Sequence, residues 1–255
     1  MLMLEAKFFE LNFLKLDSCF RRNDKRKREA KVGIKKSGGK GFTLVELAIV
    51  LVIIGIIIGA VMKGQDLIDN ARAKKVITTI NTWNMLTWAY MDRKGRFPGD
   101  SGRNGLIGDS AGEQTAAASA IGEMAATGAF TNPPDNPIAI GSYQFYVYIG
   151  YDTSISKNAL VICKTVNCAA TVFTSDELKL IEAVDTAIDG LSDAGLGQFR
   201  GATAVTLLPA APTQINNKYA AAVTAVTAVS ETTAGATTAW AITQNAAVWL
   251  FDRPY

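Results

Sequence analysis

Histidine is missing from all 255 residues, and its absence removes much hydrolytic chemistry at once. Ser-His-Asp and Cys-His arrangements need an imidazole as the base, and metal centres lose one of their commonest ligands. No glycine-rich phosphate loop follows a strand pattern, and the acidic residues are scattered without an evident pair. The sequence therefore points away from an enzyme and implies no cofactor. Proline is scarce as well: of seven in the chain, none falls between Phe42 and Arg96. There are only three cysteines. From Phe42 to Met62 almost every polar side chain is lacking, Thr43 and Glu46 being the exceptions.

What stands there instead is an apolar run of about twenty residues, preceded by Lys35, Lys36 and Lys40 and closed by Lys63. As a helix at roughly 1.5 Å per residue it is about 30 Å long, enough to cross the hydrocarbon core of a bilayer. A carboxylate inside such a segment costs roughly 2.5–3.5 kcal/mol near the bilayer centre, so Glu46 predicts a partner. The run is too long for a secretory signal, and no small-x-small cleavage site follows it. The Gly55 to Gly59 spacing is a weak helix-packing signal by itself.

The string Gly41-Phe42-Thr43-Leu44-Val45-Glu46-Leu47, opening that run, resembles the cleavage and methylation signal of type IV prepilins and pseudopilins. The resemblance implies an inner-membrane peptidase that cuts after the glycine, so the scissile bond is Gly41–Phe42 and Phe42 becomes the methylated first residue. Glu46 would then face the new amine of a neighbouring subunit. An α-amino group with a pKa near 7.7–8.0 is largely cationic at neutral pH, and it offsets the cost of a buried carboxylate. The fold implied is α+β and pilin-like, with one long N-terminal helix packed against an antiparallel β-sheet head. The domains expected are a leader over 1–41, a helix over 42–93 whose first part, 42–62, is transmembrane or filament core, and a head over 94–255.

Setting the leader aside changes the charge. Residues 1–41 hold 12 of the 26 Lys/Arg and 5 of the 23 Asp/Glu, which leaves 14 basic against 18 acidic side chains, a formal −4, in place of +3. The run Arg21-Arg22-Asn23-Asp24-Lys25-Arg26-Lys27-Arg28 reads as a positive-inside flank; a nucleic-acid arm is the other reading of such a run. A third reading starts translation at Val32 and leaves residues 1–31 untranslated.

Cys19 falls in the leader, so the mature chain keeps Cys163 and Cys168. An even count in an exported chain predicts a disulfide around Lys164–Asn167; the alternative is two unpaired thiols. From Gln65 to Arg93 the apolar positions Ala73, Val76, Ile80, Trp83, Thr87 and Tyr90 follow one helical face, with Gly64 the weak point and Lys94-Gly95 the end. The stretch Asp100 to Asp109 partly echoes a calcium loop through Asp100, Asn104 and Asp109, but Gly102 and Ala111 replace two ligands. We read it as a Gly/Asn turn, so no metal is expected. Residues 142–151 alternate as a strand, with Phe145, Val147 and Ile149 on one side and Tyr146 and Tyr148 on the other; Ala159–Cys163 is a second. Thr174-Ser175-Asp176-Glu177 reads as a helix cap, with Ser175 leading into a run through Ile188 that ends at Gly190. From Gly201 on, an Ala/Thr/Val-rich tail predicts short strands.

The function the resemblance implies is a structural subunit of a type IV pilus. Its partners would be the prepilin peptidase, an assembly platform, the inner membrane, and other copies of itself and related pilins in a helical filament. The alternatives are a type II secretion pseudopilin and a minor tip pilin that binds DNA or a surface in adhesion. The acidic mature chain argues against nucleic acid, whose affinity comes mainly from Lys and Arg. The localisation implied is inner membrane first, then an extracellular filament or a periplasmic pseudopilus.

Overall fold

The computed structural model describes residues 42–126, 128–154, 156–168, 171–229 and 238–251. Residues 1–41, on which the leader expectation falls, with Cys19, Val32 and Gly41, lie outside the described residues. Two compact units divide at Ile54/Gly55. The described part of the first is the start of helix α1 (Leu44–Lys94), preceded by Phe42 and Thr43.

The second unit holds the rest of α1 and the head. With no proline to interrupt it, α1 continues through Gly64 and stops at Gly95, whose φ of +67° suits glycine. Its buried residues are Ala73, Val76, Ile80, Trp83, Thr87 and Tyr90, the six read from the spacing. They pack into one core with Phe145, Val147 and Ile149 of β2 (Tyr143–Asp152). The α+β architecture of a long N-terminal helix on a sheet is the one expected.

Six strands make up the sheet among the described residues: β1 (Ile138–Ile140), β2, β3 (Lys157–Cys163), β4 (Phe199–Ile215), β5 (Lys218–Ala228) and β6 (Ala246–Leu250). Helix α2 (Ala120–Ala125) precedes them and α3 (Ser175–Asp189) lies between β3 and β4. Neighbouring strands in the order β1-β2-β3-β6-β4-β5 are antiparallel. One further pairing is parallel: β5 meets β2 at Ile149–Ala222 and Gly150–Val223 and closes the sheet into a five-stranded ring. A ring so narrow leaves little room inside and favours small side chains. The cluster there is accordingly rich in Ala and Val (Ala159, Val161, Ala202, Ala221, Val223, Val226, Ala246 and Val248), joined by Tyr148, Leu207, Leu250 and the two cysteines. That packing explains the Ala/Thr/Val-rich tail.

One expectation needs correction. The tail forms long strands, of 17 and 11 residues, because a two-residue turn at Asn216-Asn217, both at positive φ, turns β4 straight into β5. Pro209 and Pro212 do not break β4; they sit where the register skips from Leu208 to Thr213. The cap read in Thr174-Ser175-Asp176-Glu177 is present, with Thr174 as the N-cap and Ser175 as the first helical residue of α3. Glu177 must stand three residues after the cap for the reciprocal pair of bonds, and that spacing selects Thr174. The helix ends at Gly190 in the left-handed region, as expected.

Cys163 and Cys168 are bonded, with Cα atoms 5.2 Å apart. The loop they close is held from below by the Tyr148 hydroxyl, which donates to the Val166 carbonyl at 2.5 Å. Lys164 pairs with Glu177 at 2.9 Å and so ties the loop to the start of α3. Closing so short a loop is worth about 2 kcal/mol on the chain-entropy account. Reduction should therefore lower the head's unfolding free energy by about that much, measured by urea melts with and without reductant; an unchanged midpoint would contradict it.

Candidate functional site

At the start of α1, Phe42 and Thr43 are non-helical and Leu44 is the first helical residue. Thr43 caps the helix: its hydroxyl accepts from the Glu46 N–H at 3.2 Å. Glu46 answers with one carboxylate oxygen, which accepts from the Thr43 N–H at 2.9 Å and from the Thr43 hydroxyl at 3.0 Å. This is a capping box, two helix-end donors satisfied reciprocally. The Thr-x-x-Glu spacing carried that signal in the sequence, and the sequence reading passed over it. The partner that Glu46 needs is thus supplied, within one chain, by its own helix start.

Beyond Glu46 the helix presents apolar side chains on every side. From Phe42 to Met62 the large apolar residues are between 46% and 88% exposed. A side chain added at Gly55 or Gly59 would meet nothing within 4 Å. Among the described residues this is the one helix long and apolar enough to cross a membrane. Some fifteen large apolar side chains, worth about 0.3–0.6 kcal/mol each at a helix centre, outweigh the roughly 2.5–3.5 kcal/mol of a carboxylate. Insertion wins with Glu46 in place.

The prokaryotic N-terminal methylation motif matches residues 36–62. The chain carries a prepilin-type cleavage and methylation signal. It is the signal of type IV pilins and pseudopilins, read by prepilin peptidase in precursors that go on to form pilus-like polymers, and with the apolar helix it fits a membrane-anchored precursor. The match spans the N-terminal segment alone; no characterised protein and no solved structure matches the chain.

In the head the structure brings Asp100, Asn104 and Asp109 together, but through nitrogen donors. Asp100 is buried and accepts from the Asn104 and Gly105 N–H groups at 3.1 and 2.9 Å. The Asn104 side-chain amide donates to Asp109 at 2.7 Å. Glu113, absent from the sequence reading, accepts from the Ser101 hydroxyl and the Gly102 N–H at 2.9 and 2.8 Å. Burial works to raise its pKa, yet those bonds and a third from the Ser110 N–H at 3.3 Å hold it down at about 2. No group of three or more acidic or cysteine side chains placed to hold a metal occurs among the described residues.

A second acidic corner had no sequence signal. Asp185, fully buried on α3, accepts from the Trp240 indole N–H at 2.9 Å and the Asp193 N–H at 2.7 Å. Burial raises its pKa to about 6, helped by the Asp189 and Asp193 charges and opposed by those two bonds. A carboxyl group raised in the fold favours folding below its ordinary range, near pH 4, and that advantage is lost as pH climbs through about 6. Asp185→Asn should gain on the native chain between pH 4 and 7.5 by roughly 2–3 kcal/mol, at about 1.4 kcal/mol per pKa unit. Thermal melts at the two pH values check this; a gap that does not move with pH would contradict it.

Proposed function

We propose that the chain is a structural subunit of a type IV pilus, cut at Gly41–Phe42, methylated on Phe42 and polymerised through α1. The observation that carries this reading is the uninterrupted exposed apolar helix with a single acid, Glu46, four residues past the proposed new amine. Water is excluded from such a surface only in a bilayer or against other copies of itself. In the precursor, Glu46 is held by Thr43. In the filament, the cationic N-terminus of the next subunit becomes a stronger partner, since a full charge in low dielectric outweighs a neutral N–H donor. Each subunit is thereby set at one axial register against its neighbour.

The domain plan that goes with this reading is a leader ending at Gly41, an anchor from Phe42 to Met62 and a head following Lys94. Gly41→Ala should leave the precursor membrane-bound but poorly cut, because the peptidase subsite that reads this signal prefers glycine. Immunoblots of envelope fractions check it: mainly the long form is expected, and normal processing would contradict it. Immunoblots of sheared surface material from cells with the native chain test the pilus role. The chain should be recovered there; its confinement to the envelope would favour a secretion pseudopilus.

A further inference from the structure

Two loops, 191–198 and 238–245, are hung on the C-terminal end of α3 through buried acids. Asp185 is fully buried, and its Oδ2 accepts from the Trp240 indole at 2.9 Å and from the Asp193 N–H at 2.7 Å. Its Oδ1 is buried too and meets no donor among the described residues. Asp193, itself buried, accepts from the Gly195 and Leu196 N–H groups with one oxygen and from the Thr238 N–H with the other, at 2.8, 3.1 and 3.0 Å. The Ala194 N–H donates to the Thr238 carbonyl at 2.8 Å and joins the two loops directly. The charges that face Asp185 are Asp189, on its own helix, and Asp193, on the first loop; from the second loop it meets the Trp240 indole. None of the three acids is in an ion pair among the described residues. Asp189 also stands in the last turn of α3, where no basic residue answers the negative end of the helix.

We propose that this corner is a proton-operated latch: with Asp185 neutral the two loops are held on α3, and with Asp185 charged they open together. The two bonds from Trp240 and Asp193 favour the charged form. Against them stand burial, an oxygen with no donor and two like charges, and a carboxylate so placed is relieved by reaching water. Opening the loops supplies that water. The closed corner takes up its proton near pH 6, and an opened one near the ordinary carboxylate value of 3.8, so opening becomes easier as pH climbs between those values. From pH 4.5 to pH 7 the opening equilibrium should change by about twentyfold. What the open corner shows is apolar. Trp240 is buried when the loops are closed, with its ring centre 5.8 Å from that of Phe199, and Leu191 and Ile242 on the same loops are already 59% and 61% exposed. The latch belongs to the head and stands apart from the role of α1.

Amide hydrogen exchange of the full chain in detergent at pH 4.5 and pH 7 tests this, with each rate divided by that of the same amide in an unstructured peptide. The N–H groups of Asp193, Ala194, Gly195, Leu196 and Thr238 should lose about twentyfold in protection at the higher pH. They should also exchange faster than those of Leu160 and Val161 in β3 at both pH values, and low urea should not speed them, because a local opening exposes little surface. Asp185→Asn carries no charge, and its amide oxygen can still accept from Trp240 and Asp193, so both loops should stay protected at either pH. Asp189→Asn removes one facing charge and should shrink the change without abolishing it. Protection that does not alter with pH would overturn the proposal. Exchange of the five amides in step with β3, and sped equally by urea, would overturn it too, since only unfolding of the whole head would then reach them. A pH response that survives in Asp185→Asn has the same force. Where that variant does not fold, an undiminished response in Asp189→Asn takes its place.

Discussion

Cells expressing Glu46→Val in place of the native chain should hold the cut protein in their membranes and carry almost none of it in surface filaments. Two effects of opposite sign meet in this substitution. Removing the carboxylate relieves a cost of roughly 2.5–3.5 kcal/mol near the bilayer centre, so the anchor itself gains. It also removes the charge that answers the neighbour's amine, and an uncompensated buried charge costs about 3–5 kcal/mol in reverse cases of pair breaking. Every subunit contact in the polymer repeats that loss, so filament yield should fall by orders of magnitude while monomer level does not. Glu46→Gln separates the two roles of the residue. The amide oxygen can still accept from the Thr43 N–H and keep the capping box seen here, but it carries no charge. Both variants should fail to assemble. Filaments from Glu46→Gln, measured by shearing and quantitative blotting, would mean that the cap alone matters and that charge sets no register.

The largest effect on the head is expected at Gly150. This residue pairs with Val223 where β2 and β5 close the ring. A Cβ there would run into the Val223 carbonyl oxygen and lie 2.5 Å from its nitrogen and 2.9 Å from its carbonyl carbon. Backbone cannot rotate away as a side-chain end can, so Gly150→Ala must part the two strands. Parting them exposes the small-residue core inside the ring and loses the hydrogen bonds of the closure. A cost of about 3 kcal/mol or more follows, at the upper end for single substitutions. Gly112→Ala is the control, since a side chain there meets nothing within 4 Å. Urea unfolding of the head should show a large drop for Gly150→Ala, and a drop below about 1 kcal/mol would show that the strands give way easily.

How much of this could be read in advance depended on whether the cause was local. The buried stripe of α1 was legible because one helix face repeats every three to four residues, and nothing in its sequence breaks the period. The alternation of β2 was legible for the same reason, with Tyr148 falling on the face opposite Val147. The cysteines were legible from parity and context. Closure of the ring was not, because it depends on two residues, Gly150 and Val223, far apart in sequence. Nor was Asn136, whose side chain bonds both the N–H and the carbonyl of Val147 and the carbonyl of Tyr219, filling the place of a strand residue between β2 and β5. At the site itself the string from Gly41 to Glu46 named its own chemistry. The reciprocal bonds of Thr43 and Glu46 were legible in principle, and the apolar surroundings drew attention away from them.

The most direct measurement of the central claim is peptide mass spectrometry of the chain's N-terminus, taken from sheared surface filaments. The account predicts a peptide that begins at Phe42 and carries one methyl group on its α-nitrogen. A chain recovered from the same fraction with the Gly41–Phe42 bond intact would contradict it.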